Sequence, residues 1–209
     1  MAAQTVPTKG NLLAAKKSLE LSRTGFELLD RKRNILIREM MLLIDRASAI
    51  QEKIDVTYAQ AYKSLQMANI ASGLCFEVAR TVPLDDNLNV AFRSVMGVEI
   101  PMVSLEEQPQ PVPYGMAGTN SMLDRAYDRF NEVKRLTAEL AEVENSVYRL
   151  ADAIKKTQKR ANALKNIMIP RFESTVKFIT DALEEKDREE FSRLKVIKRQ
   201  KSEKAQGGP

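Results

Sequence analysis

From Asn120 to Lys204 the chain contains no glycine and a single proline, Pro170. Within this stretch Leu136, Leu140, Val143, Val147, Leu150, Ile154, Thr157, Ala161 and Leu164 recur at alternating gaps of four and three. That is a 3.5-residue period, which places a narrow apolar seam along one side of a helix. A single helix over the whole stretch would be roughly 125 Å long at ~1.5 Å per residue. No compact domain of 209 residues is that wide. The pattern therefore predicts a rod, and a seam on a rod needs a partner helix.

The first part of the chain supplies one. A second seam reads Leu12, Ala15, Leu19, Ser22, Phe26, Leu29, Arg33, Leu36, Met40, Leu43, Ala47, Ile50, Ile54, Thr57, Ala61, Ser64, Ala68. Its gaps also alternate three and four. No proline lies between Pro7 and Pro83, so one helix is expected over about 8–79, with Thr8 as its N-cap. Gly25 interrupts it at a cost of about 1 kcal/mol relative to Ala. It is either a tolerated blemish or a close crossing with another chain.

Residues 80–120 carry five prolines, Pro83, Pro101, Pro109, Pro111 and Pro113, which forbid a helix. Leu88–Val95 and Val98–Leu105 are β-rich and flank Met96-Gly97, so a hairpin is expected, with Val90, Phe92, Val95, Val98, Ile100 and Met102 as its apolar positions. Pro101 makes the second strand an edge or irregular one. An isolated hairpin is marginal in water, so this one should lean on the helices or on a partner. Glu106–Gly118 reads as an irregular return loop, and Asn120 or Ser121 as the cap of the second helix. The fold class predicted is all-α: an antiparallel two-helix coiled coil with a β-hairpin in the connector. Its domains are a first helix over 1–79, hairpin and return loop over 80–120, and a second helix with a basic tail over 121–209.

Pro170 should kink the second helix. Past Leu164 the seam continues as Met168, Phe172, Val176, Ile179 and Leu183. Its three successive gaps of four form a stutter that locally unwinds a supercoil. Beyond Leu183 the apolar pattern thins, and the end is basic. Met1–Pro7 and Gly207–Pro209 read as loose ends.

Composition bounds the function. There is no histidine, so no His ligand, base or triad. The one cysteine, Cys75, leaves no internal disulfide or zinc site and fits a reducing cytoplasm; it reads as a small buried residue. Apart from Gly207-Gly208 near the end the glycines are isolated, so no Gly-rich phosphate loop is expected. No cofactor is expected, and catalysis by the chain itself is not. No apolar run is long enough to span a membrane. Residues 8–79 hold 11 basic and 8 acidic side chains, residues 80–120 hold 2 and 5, and residues 121–204 hold 20 and 15. Basic helices thus flank an acidic connector. Interleaved signs and the lack of aromatics interleaved with the basic residues argue against a nucleic-acid groove.

Some stretches look like a known family. ANALKNIMIPRFESTVKFITDALEEKDREEFSRLKVIK at 161–198, with its Asn162-Ala163-Leu164, Ile169-Pro170 and Arg193-Leu194-Lys195, is similar to the C-terminal signature of the D subunit of V/A-type ATPases. Pro7-Thr8-Lys9 and TGFELLDRKRN at 24–34 resemble its N-terminal half. Two positions depart: Asp30 stands where the family often has Lys, and Lys165 where it often has Glu. An antiparallel hairpin brings the two close, so an exchanged ion pair is expected between them. The resemblance implies a central rotor shaft of a rotary ATPase or ATP synthase, peripheral to the membrane on the cytoplasmic side and not inserted in it. It implies termini seated in a catalytic hexamer of A and B subunits, the F subunit on the lower shaft, and a funnel-shaped subunit on the membrane rotor ring. Rotation would couple ATP chemistry to H⁺ or Na⁺ transport. Arg23, Arg31, Arg33, Arg193 and Lys198 are the candidate contacts to the hexamer. Residues 40–70 and 125–150 with the hairpin are the candidate contact to the F subunit. A free-standing coiled-coil scaffold is the alternative.

Overall fold

The computed structural model describes residues 6–83, 87–105, 113–115 and 119–206. Most of the expected return loop, the first five residues and Gly207–Pro209 lie outside these. The elements, in order, are α1 (Lys9–Ser72), α2 (Phe76–Thr81), β1 (Leu88–Val95), β2 (Val98–Leu105), α3 (Ser121–Ala163), a π-helical segment (Leu164–Met168) and α4 (Ile169–Gln206). The fold is all-α with one two-stranded antiparallel sheet. The chain divides into two compact units, Met1–Arg31 with Thr157–Pro209 and Lys32–Lys156.

Both long helices begin where their caps sit. Thr8 Oγ1 accepts the Asn11 N–H at 3.2 Å, and Asn120 Oδ1 accepts the Met122 N–H at 3.0 Å. Each bond satisfies a donor that the first turn leaves without a helical partner. The first helix ends at Ser72, short of the expected 79. Gly73 follows with φ +79, a left-handed residue just past the helix end that frees the chain to turn. The Asn69 side chain then accepts the Cys75 N–H at 3.2 Å, and α2 begins at Phe76.

The hairpin has the expected limits. Val95 pairs with Val98 across Met96 (φ 51) and Gly97 (φ 77). Two positive φ values in a two-residue loop are the backbone signature of a type I′ turn, whose twist matches the strands it joins.

In the larger unit α1 and α3 run antiparallel, with the seams inward. Leu36 and Leu150 close over Ile100 of β2, all three buried. Ile50 and Ile54 close over Val143, with Leu43, Leu136, Leu140 and Val147 packed round them. Toward the loop end the aromatics take over: Tyr62 meets Phe130 edge-on at 5.6 Å, and Tyr114 meets Tyr127 at 5.8 Å. Ala68, Tyr114 and Leu123 are the buried residues there.

In the smaller unit Leu12, Leu19, Phe26, Leu29 and Leu164 are half-buried, and Ala161 and Ile179 are buried. Gly25 is a contact within this chain: a Cβ there would lie 3.7 Å from Leu164 Cδ1. The helix irregularity expected at Pro170 lies just before it. The Ile169 N–H bonds to the Leu164 carbonyl, five residues back. This widened turn takes up one extra residue, which is what a stutter of four-residue gaps requires.

Candidate partner-binding surfaces

Hairpin docking creates the first surface. Ile100 plugs into the α1–α3 seam, and three side chains one to two turns apart on α3 hold the strand backbone. Glu142 Oε2 accepts the Val103 N–H at 2.7 Å. The Arg149 Nη1 group donates to the Glu99 carbonyl at 3.1 Å, and its guanidinium stands 5.3 Å from the Phe92 ring centroid. Ser146 Oγ donates to the Glu142 carbonyl at 2.8 Å and lies 3.4 Å from the Pro101 carbonyl oxygen. Ser146 is buried because the hairpin covers it. The seam pattern missed these residues, since Glu142, Ser146 and Arg149 read as an ordinary polar helix face. Their spacing at i, i+4 and i+7 was the available signal.

Docking divides the six expected hairpin residues. Ile100 is buried, and Val95 and Val98 are half-buried against the helices. Val90, Phe92 and Met102 stay exposed, at 50%, 57% and 46%. Tyr148 of α3 is 82% exposed, and Met41 and Leu42 of α1 are 54% and 60% exposed. This unit therefore carries large apolar side chains that its own chain leaves in water.

Arg46 ties α1 to α3, bonded to Glu139 and 3.9 Å from Glu142. The Glu139 hydrogen bond, assisted by both carboxylates, raises its already high pKa against the opposing effect of burial. Near the loop end the Tyr114 hydroxyl donates to Asp124 Oδ1 at 2.7 Å. Burial first, then that bond and the charge of Asp124, push the phenol pKa above its ordinary value. Beside it lies an apolar pocket of about 370 Å³, walled by Leu65, Leu74, Phe76, Tyr127 and Phe130. Cys75 is half-buried in its wall, with Sγ 3.5 Å from the Gly73 carbonyl oxygen.

The second surface is the end of α4. Residues 184–202 are exposed throughout. Phe191, Leu194 and Ile197 form an apolar row there, at 69%, 64% and 48% exposure. The five cations expected to meet the hexamer divide as well. Arg23 is paired with Glu173 at 2.6 Å, Arg193 with Glu189 at 3.5 Å, and the Arg33 Nη2 group donates to Asn34 Oδ1 at 3.2 Å. Arg31 and Lys198 are exposed. Lys165 stands 5.8 Å from the Phe26 ring centroid. This is a cation–π contact with the first helix.

Among the described residues no group of three or more Cys, Asp or Glu side chains is placed to hold a metal, and no helix is long and apolar enough to cross a membrane. Paired helices with a docked hairpin, and apolar and cationic side chains left uncovered, define the class: a helical component of a larger assembly. A family model described as the D subunit of ATP synthase matches residues 11–199. The V-type ATP synthase D subunit of Thermotoga neapolitana is 45% identical over 194 residues, 92% of this chain and 96% of that protein. The A-type ATP synthase D subunits of Thermococcus sibiricus and Methanosphaera stadtmanae are 35% and 37% identical, covering 96% and 92% of this chain and the same shares of those proteins. The chain belongs to the family of ATP synthase D subunits.

Proposed function

We propose that this chain is the central rotor shaft of a V/A-type ATPase or ATP synthase. It transmits torque between ATP hydrolysis or synthesis in a hexamer of A and B subunits and H⁺ or Na⁺ transport by a membrane ring. ATP is handled by the hexamer, and the shaft is non-catalytic. The observation that carries this reading is the bare end of α4. A helix that buries Ile179 and then exposes everything over 184–202, including Phe191, Leu194 and Ile197, is made to be covered by other chains. Of the five candidate cations, Arg31 and Lys198 are those with no partner among the described residues, and they add positive charge to this unit's surface. The exposed Phe92, Met102, Tyr148, Met41 and Leu42 support a second interface, which we assign to the F subunit. The funnel-shaped subunit of the ring would then take the loop end of the α1–α3 pair.

The test is site-directed cross-linking in the assembled complex. With Cys75→Ser as background, Phe191→Cys should form adducts with chains of the catalytic hexamer. Adducts only with a second copy of this chain would instead establish the free-standing coiled-coil scaffold.

A further inference from the structure

An open pocket of about 500 Å³ lies between α1 and α3, near the end of the pair where the aromatics cluster. Lys63 of α1 and Arg125 and Arg129 of α3 line it, with Gln60 and Ser64 as neutral polar neighbours and Met67 and Met122 beside them. Three cations are thus brought into one pocket by two helices that pack against each other. Arg129 is partly balanced by Glu132 at 2.9 Å. Lys63 and Arg125 have no hydrogen bond, ion pair or ring contact with any described residue. Asp124, which precedes Arg125 in the chain, is engaged by Tyr114.

Elsewhere on the same pair Arg46 of α1 faces charges of opposite sign on α3, Glu139 and Glu142. Like charges held together across a helix pair work against its packing. The arrangement becomes favourable once a multivalent anion enters. Two guanidinium forks and an ammonium gathered in one pocket match the several oxygens of a phosphate group, whereas a single carboxylate needs no such gathering.

We propose that the Lys63–Arg125–Arg129 pocket binds a phosphate oxyanion, either of a free phosphate chain or of the headgroup of an anionic phospholipid. Lys63 and Arg125 provide the uncompensated charge, and Arg129 supplies the third cation. The pocket alone defines this site, without the rotor reading.

Titration calorimetry of the full chain with inorganic tripolyphosphate, at matched ionic strength, tests it. Saturable one-to-one binding is expected. A Lys63→Gln/Arg125→Gln variant should bind at least about tenfold more weakly while keeping its helical circular dichroism. A Lys16→Gln/Lys17→Gln variant, at two exposed lysines and with the same change in net charge, should bind as the parent does. Flotation with phosphatidylglycerol vesicles against phosphatidylcholine vesicles separates the sources. Binding to the anionic vesicles that depends on Lys63 and Arg125, without tripolyphosphate binding, identifies the headgroup as the ligand. The proposal is overturned if neither probe binds beyond the ionic-strength effect, or if both double variants weaken binding equally. Binding of poly-glutamate in preference to both phosphate probes would also overturn it, by showing an acidic protein segment to be the occupant.

Discussion

At the scale of single residues, Gly25 and Tyr114 separate what the fold tolerates from what it uses. Gly25 sits mid-helix without a positive φ, and an added methyl would meet Leu164 Cδ1 at 3.7 Å, an ordinary contact. Gly25→Ala should therefore raise stability by about 0.5–1 kcal/mol, through a less flexible unfolded chain and one more packed methyl. A higher urea midpoint with unchanged slope checks this. Tyr114 is used: the residue is buried and its hydroxyl is bonded to Asp124. Tyr114→Phe should cost about 0.5–1.5 kcal/mol at neutral pH. The folded state raises the phenol pKa above the unfolded value of about 10. The stabilisation is therefore fully present below about pH 10 and lost as pH rises beyond it. Urea midpoints of the two proteins should accordingly converge above about pH 10.

At the scale of elements, the π-helical segment decides where the second half of the C-terminal helix points its side chains. Its one extra residue shifts everything downstream by about 100°, the rotation of one α-helical step. Deleting Ile167, which is exposed, would let the helix run as regular α. It would also turn Phe172, Val176 and Ile179 away from the first helix. The deletion should cost more than about 2 kcal/mol, the scale of losing one buried aliphatic side chain, despite removing an irregular turn. Thermal unfolding followed by circular dichroism measures it. Equal stability would mean that Pro170, not the seam, sets the irregularity. The hairpin is the other element whose position is decided by packing. Its strand limits and turn follow from Leu88–Val95, Met96-Gly97 and Val98–Leu105 as written in the chain. Its docking face does not, because Ile100 and Met102 are equally apolar and only the three-dimensional approach to Leu36 and Leu150 buries one of them.

At the scale of the whole molecule, the helical pattern was legible because heptad periodicity is local and repeated. Each of the seventeen first-helix seam positions, from Leu12 to Ala68, is buried or half-buried. Two features escaped that reading for physical reasons. The early end of α1 turns on one left-handed glycine, Gly73, which period counting passes over. The Glu142–Ser146–Arg149 ridge is polar, and its burial depends on the hairpin arriving from another part of the chain. Of the basic residues read as candidate partner contacts, Arg23 and Arg193 carry exposed ion pairs within the chain, which a one-dimensional reading of charge does not reveal.

The central claim is that this chain works as one shaft inside a rotary ATPase. It is tested most directly by purifying the tagged full-length chain from its native cells and measuring subunit stoichiometry by quantitative mass spectrometry. The account predicts an ATPase assembly with one copy of this chain for every three catalytic chains. Recovery as a homodimer without ATPase subunits would contradict it.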